Sequence, residues 1–425
     1  MMGLATAHYL SSSKFKVTIL ERQNEIGGLS RSQELLPGLV WDRFYHVILS
    51  TDDELLRFID EIGLSLDVQF TQTKTGFFTD GKLHSMSSTS EFLSFKPLSL
   101  WDKLRLGVGI LYASKINNWK RLERIYVKAW LIKVFGRRNY EKMWEPLLRS
   151  KLGEAKDSAS AAFIWGIIKR LYGTRKKSSK KELMGCVRGG YYSILAQTRQ
   201  KLLEKGTRII TREGVENVEA RPGGGVRVYT ESKKEFEFDK LISTIANPEL
   251  IRIWRDIPPD YREMLKKVNY LKLVCVVLVL KNALSPYYVT NLTDSGLPFT
   301  GFIDATNIIP SDILRGKALV YLPKYMPSGD SFYKKSDEEI LREFTKGVKK
   351  IFPDFFDDQI LYCHVFKEPY VQPIQEVNFS ENVPPMETPL KNLYMVNTTM
   401  ILNSTLNNNE VIRLARSMAD QLNRS

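Results

Sequence analysis

With 425 residues, 43% of them hydrophobic and 26% charged, the chain has the length for two domains with separate cores and the composition of an ordinary soluble protein. Its three cysteines, Cys186, Cys275 and Cys363, are widely spaced without a C-x-x-C, which excludes a disulfide frame and a structural zinc site and points to a reducing, cytoplasmic compartment. The net charge of +14 is localised: residues 101–183 hold 21 Lys and Arg against 7 Asp and Glu, so the rest of the chain is balanced. Such a segment reads either as a solvated helical surface or as one drawn to anionic lipid headgroups or an anionic substrate. No nucleic-acid-binding module accompanies it, so no specific nucleic acid is expected as a partner. The four histidines show no metal-ligand spacing, residues 273–280 form the longest apolar run and are too short to span a bilayer, and no signal-peptide pattern is read.

Taken in order, residues 3–10 (GLATAHYL) read as a helix rich in small and apolar residues, closed by Ser11, Ser12 and Ser13. Residues 16–20 (KVTIL) read as a short strand ended by Glu21. A helix that starts at a glycine, then a strand, then an acid is the second half of a dinucleotide-binding βαβ unit, in which the acid accepts a hydrogen bond from a ribose hydroxyl. The acid is expected roughly 15 residues after the third glycine of G-x-G-x-x-G; Gly3 to Glu21 spans 18, within loop variation. If Gly3 is that third glycine, the first two and their strand lie outside the sequence. The chain as written is then expected to have a half-built phosphate site, to bind a dinucleotide such as FAD weakly or not at all, to be poorly soluble, and to leave a gap or unpaired strand edge beside residues 17–20. Gly27-Gly28, Ser30 and Arg31 follow. Paired glycines let a second stretch of backbone approach a phosphate or ribityl chain, and Arg31 supplies positive charge, a combination that favours FAD over a nicotinamide cofactor.

Residues 51–64 read as an amphipathic helix with Thr51 as N-cap, and residues 75–86 as a hairpin turning at Asp80-Gly81. Residues 97–134 read as one long helical stretch, Pro146 as a helix start or kink, residues 159–172 as a helix, and residues 175–181 (RKKSSKK) as a mobile basic loop. A helix over 191–205, strands over 207–211 and 214–218, a hairpin over 226–239 and a buried strand at 241–246 come next. The β-branched run 270–280 predicts a strand buried on both faces, opening a mixed sheet with an amphipathic helix over 336–352. Asp304, Tyr321, Tyr325 and Tyr370 are candidates to line a substrate cavity. A strand at 393–396 and a helix at 408–422 close the chain.

The spacing Glu21-x5-Gly27-Gly28-x-Ser30 resembles the FAD signature of the amine oxidase, protoporphyrinogen oxidase and phytoene desaturase superfamily, which UDP-galactopyranose mutases share. Trp144-Glu145-Pro146-Leu147-Leu148, Gly189-Gly190, Pro298-Phe299-Thr300-Gly301 and Tyr321-Leu322-Pro323-Lys324-Tyr325 are similar to a protoporphyrinogen-oxidase-like branch. The resemblance implies an α/β fold: a discontinuous Rossmann-like FAD-binding domain (1–85, 184–260, 381–425) with an inserted substrate domain made of a basic helical part (86–183) and a mixed sheet (261–380). It implies FAD contacts at Gly3, Glu21, Arg22, Gly27, Gly28, Ser30, Arg31, Val215, Thr244 and Asn397, and an active-site place for His46. The implied reaction is FAD-dependent oxidation of a small organic substrate, a C–N or C–C unit losing hydride to the flavin. A non-redox flavin isomerase and a flavin-deficient scaffold are the alternatives. Asn397 stands where the family usually has glycine, and Ser404-Thr405 where an Asp-Arg pair is common, which puts the usual flavin contacts there in question. An association with an anionic membrane surface through the basic segment is expected; nothing in the sequence specifies an oligomeric state.

Overall fold

The computed structural model describes residues 1–11, 14–177 and 183–424. The first helix, Met2–Leu10, buries Leu4, Ala5 and Ala7. It lies against the C-terminal helix Asn408–Arg424, whose Val411, Ile412, Ala415, Met418 and Leu422 recur every three or four residues and are buried. Strand Thr18–Leu20 pairs in parallel with Arg208–Ile210, and Leu241–Ser243 pairs in parallel with Leu393–Met395. Among the described residues these are two separate two-stranded sheets, not one. A three-stranded antiparallel sheet (Val215–Ala220, Val226–Thr230, Glu235–Phe238) stands beside them.

The second layer is a seven-stranded sheet in the order Ile360–Pro373, Tyr270–Leu280, Ala318–Pro327, Gly301–Asp304, Val289–Leu292, Thr75–Thr79, Lys82–Ser85. Strand Tyr270–Leu280 is its spine, with the bounds its β-branched run predicts. Leu273, Cys275, Val277 and Val279 face one core with Trp41 and Tyr321, while Val274, Val276 and Leu278 face another with Phe344 and Val348. Alternation across the pleat puts these side chains in a core on both faces, and each full burial of a Val or Leu is worth roughly 1.5–3 kcal/mol. Helix Asp337–Ile351 covers the second face; Ser336 caps it by accepting from the Glu339 N–H. The Thr75–Ser85 hairpin, grouped by sequence with the first FAD-binding segment, hydrogen-bonds into this sheet through Thr75–Thr79 alongside Val289–Leu292.

Residues 97–134 are not one helix but three: Leu100–Lys115, Trp119–Glu123 and Val127–Phe135. Ile116 is extended and Asn118 caps the second piece, its side-chain oxygen accepting from the Arg121 N–H, so local side-chain bonding competes with continuation. The break lets Val127–Phe135 fold back on Leu100–Lys115, where Gly109 meets Phe135 so closely that a Cβ would lie 2.5 Å from its ring. Pro146 sits in the first turn of helix Glu145–Leu152, behind a π-helical turn at Tyr140–Trp144. Helix Ala161–Lys177 runs on through Arg175, Lys176 and Lys177, where the sequence reads a loop; residues 178–182 lie outside the described residues, as do Ser12 and Ser13. The expected N-cap Thr51 is displaced by Asp52, whose carboxylate instead accepts from the Leu49 N–H (2.9 Å).

Candidate active site

One cavity of about 1330 Å³ runs between the parallel strand pairs and on to the seven-stranded sheet. Its walls include Gly3, Glu21, Arg22, Gly27, Gly28, Ser30, Arg31, His46, Val215, Thr244 and Asn397, so the FAD-contact candidates and His46 named from the sequence all line it. Strand pairing explains the place of Glu21. Its N–H donates to the Ile210 carbonyl and its own carbonyl accepts from the Glu213 N–H, both at 2.9 Å, which fixes the acid at the strand end. Carboxylate Oε1 accepts from the Gln23 N–H at 2.9 Å, and no partner bonds Oε2 among the described residues.

Gly27 adopts φ +124°, and a Cβ there would come within 2.6 Å of Leu195 Cδ1, so the loop needs glycine on both counts. Gly28 has φ +58°, and a Cβ added there would meet nothing within 4 Å, which leaves its backbone open to the cavity. Arg31 is held to this loop by its Nε donating to the Gly28 carbonyl at 3.0 Å and faces Glu368 at 3.8 Å. Gly3 lies against Thr244, whose hydroxyl would be 3.2 Å from an added Cβ. The N-terminus of helix Asn408–Arg424 also reaches the cavity, with Asn407 accepting from the Glu410 N–H at 3.0 Å. That end of the helix favours negative charge.

Two expected contacts take a different form. Arg22 is already paired with Glu231 (3.2 Å) and Glu249 (3.4 Å), so its cation is balanced before any ligand arrives. The Asn397 side chain is fully engaged: Nδ2 donates to the Ile245 carbonyl (2.8 Å) and Asn247 Oδ1 (3.0 Å), and Oδ1 accepts from the Thr399 N–H (2.9 Å) and hydroxyl (2.6 Å). Asn397 therefore serves here as a buried turn brace.

Tyr45, His46, Lys151, Phe163, Tyr325 and Tyr370 also line the cavity. The Tyr45 and Tyr325 hydroxyls are 2.9 Å apart. Burial raises the pKa of the Tyr45 phenol well above its usual range and pushes Tyr325 up to about 12, so both are neutral donors and acceptors. His46 stacks on Tyr191 with ring centroids 4.5 Å apart. Its Nδ1 lies 3.6 Å from Asp42 Oδ2, too far for a hydrogen bond but within direct reach of the carboxylate's charge. Asp42 is itself fixed, Oδ1 accepting from the Ser32 hydroxyl and the Tyr191 N–H, both at 2.9 Å. Of the four cavity candidates, Tyr325 and Tyr370 line it and Asp304 and Tyr321 do not. Tyr321 is fully buried, donating to the Asp42 carbonyl at 2.6 Å, and Asp304 is buried, accepting from the Ser285 and Thr306 N–H groups.

Lys151, Arg170, Tyr191, Gln372 and Asn407 also line the cavity and are not legible as site residues in the sequence, since each sits in an ordinary helical, strand or loop pattern. The residues present fit a dinucleotide flavin. An acid at a strand end, two glycines with open backbone and a helix N-terminus line the same space. Two buried polar atoms without hydrogen-bond partners among the described residues, His46 Nδ1 and Ser243 Oγ, belong to residues of its wall.

Comparison with known proteins places this geometry. The chain is 22% identical over 418 residues to the zeta-carotene desaturase, chloroplastic/chromoplastic, of Solanum lycopersicum, covering 86% of this chain and 70% of that protein. Its fold is similar to that of a provisionally assigned protoporphyrinogen oxidase from Exiguobacterium sp. 255-15, with a TM-score of 0.78 at 15% identity over 99% of this chain and 96% of the other. It is also similar to cyclohexylamine oxidase from Brevibacterium oxydans IH-35A, with a TM-score of 0.70 at 14% identity over 99% and 97%. The profile of the family described as flavin containing amine oxidoreductase matches residues 1–405, and the chain belongs to that family.

Proposed function

We propose that the enzyme oxidises a C–N or C–C unit of a small organic substrate in the part of the cavity walled by Tyr45, His46, Phe163 and Tyr325. FAD would lie along the remainder, its adenosine ribose at Glu21 and its phosphates near Gly3, Gly27, Gly28, Ser30 and Arg31. Val215, Thr244 and the backbone of Asn397 would complete the cofactor wall, with Arg22 at its rim. In this reading residues 1–85, 184–260 and 381–425 carry the cofactor, while 86–183 and 261–380 carry the substrate. The observation that supports it is the convergence of all these residues on one cavity.

Bound FAD supplies a hydride acceptor. The protein's part is to orient the substrate, exclude water and take up the proton that leaves as the substrate is oxidised. In this reading His46 takes up that proton. Its Nε2 would accept it while Asp42, facing Nδ1, stabilises the resulting imidazolium. The Tyr45–Tyr325 pair offers neutral hydrogen bonds without adding charge. His46→Asn, made in flavin-loaded protein, is expected to lower kcat on the order of 10²-fold, with a much smaller change in KM. An unchanged kcat removes His46 from the chemistry.

We also propose that the enzyme works at the cytoplasmic face of an anionic membrane. No described helix is long and apolar enough to cross one. The support is a stripe on helix Leu100–Lys115: Leu100, Trp101, Leu104, Val108, Leu111 and Tyr112 lie on one side and are 50–74% exposed. An apolar stripe set in the segment that carries the whole positive excess is the pattern of a helix lying in a lipid interface. The three cysteines are free, as suits a reducing compartment.

A further inference from the structure

The helical insert and the seven-stranded sheet contribute three charged side chains to the cavity wall: Lys151, Arg170 and Glu368. Two are matched. Arg170 donates to both oxygens of buried Asp52 at 2.8 and 3.0 Å, and Glu368 faces Arg31 at 3.8 Å. Lys151 has no hydrogen bond or ion pair with any described residue. It stands at the end of helix Glu145–Leu152, one turn from buried Leu148, and is exposed on the wall of a partly open cavity. The position is rigid. Gly153, two residues on, is pressed against strand Ala318–Pro327, where an added Cβ would lie 3.1 Å from Pro327 and 3.8 Å from the Tyr325 carbonyl. This brings the helix end to the Tyr45–Tyr325 pair.

Before a ligand arrives water solvates this unmatched cation, but a ligand that fills the cavity displaces that water and must replace what the ammonium loses. A carboxylate does so, a neutral group does so weakly, and an ammonium is repelled. Burial already lowers the Lys151 pKa, the response expected of a lysine without a counter-charge. From this geometry we infer that Lys151 is the anion-recognising group of the substrate cavity, and that the natural substrate carries a carboxylate or similar anion at the end that meets it. The inference rests on the proposed substrate role of this cavity and assigns it a substrate class. It also separates this site from one built for a simple cationic amine.

Three ring compounds of one shape test it on the FAD-loaded chain: cyclohexanecarboxylate, cyclohexanol and cyclohexylamine. Binding is read by thermal shift and by protection of Lys151 from trace acetylation, measured on its peptide by mass spectrometry. The carboxylate is expected to bind at least tenfold more tightly than the alcohol, the amine least tightly, and only the carboxylate to shield Lys151 strongly. Lys151→Met should abolish the carboxylate-over-alcohol preference, and Lys151→Arg should retain it; both are good helix formers. The preference should fade as pH rises through the Lys151 pKa, below the range of an ordinary lysine. A carboxylate that binds no better than cyclohexanol, or a preference that survives Lys151→Met, overturns the inference while leaving the cavity as a binding site. If not even cyclohexanol binds, the substrate reading of the cavity falls with it.

Discussion

Asp304 shows how much a single residue's meaning depends on its surroundings. In sequence it is a polar position in a strand, eligible for a cavity wall; in the fold it is fully buried and bonded to backbone N–H groups. Burial pushes its carboxyl pKa up to about 6 from 3.8. A folded-state pKa above the unfolded one contributes stability that is complete below pH 3.8 and is lost as pH rises through about 6. The loss amounts to about 3 kcal/mol. Denaturant melts of parent and Asp304→Asn at pH 4 to 7.5 should therefore diverge, the parent losing that much more stability than the variant; parallel curves would refute it. Glu21, Gly27, Gly28 and Ser30 could be grouped from the sequence because they lie within ten residues of one another on one strand-and-loop segment, and all four line the cavity. Lys151 and Arg170 were not, because what distinguishes them is a partner, or the lack of one, more than a hundred residues away in the chain or across a cavity.

At the scale of elements, legibility followed how much of the cause is local. Strand Tyr270–Leu280 and helix Asp337–Ile351 match their sequence patterns because β-branched runs and three-to-four-residue spacing act through nearest neighbours. The helical insert did not, since residues 97–134 hold enough apolar residues for one helix and the breaks lie in Ile116, Asn118 and Tyr126, where capping and tertiary packing decide. The exposed stripe of helix Leu100–Lys115 was hidden for the same reason, because one long helix gives no single outward face. If the stripe meets lipid, the parent should sediment with anionic vesicles more than with neutral ones, and Trp101 fluorescence should shift to the blue on binding. Leu104→Glu with Val108→Glu should remove the shift and most of the binding, with no loss of thermal stability because both positions are more than half exposed. Salt alone should weaken the electrostatic part. Equal sedimentation of parent and double variant would return the stripe to a merely solvated face.

For the whole molecule, two parallel strand pairs and a seven-stranded sheet flank one partly open cavity, and its walls are drawn from segments scattered from Met1 to Leu422. The family was legible through motif resemblance. The pairing of Thr75–Thr79 with Val289–Leu292 was not, since a parallel contact across more than two hundred residues leaves no local trace. The central claim is that this family member binds FAD with the adenosine ribose at Glu21. Equilibrium titration with FAD, followed by quenching of flavin fluorescence in parent and Glu21→Ala, tests it most directly. A carboxylate accepting a ribose hydroxyl contributes about 1.5–3 kcal/mol. The account predicts saturable binding of one FAD by the parent and an affinity roughly 10- to 100-fold weaker in the variant; equal affinities in the two proteins would contradict it.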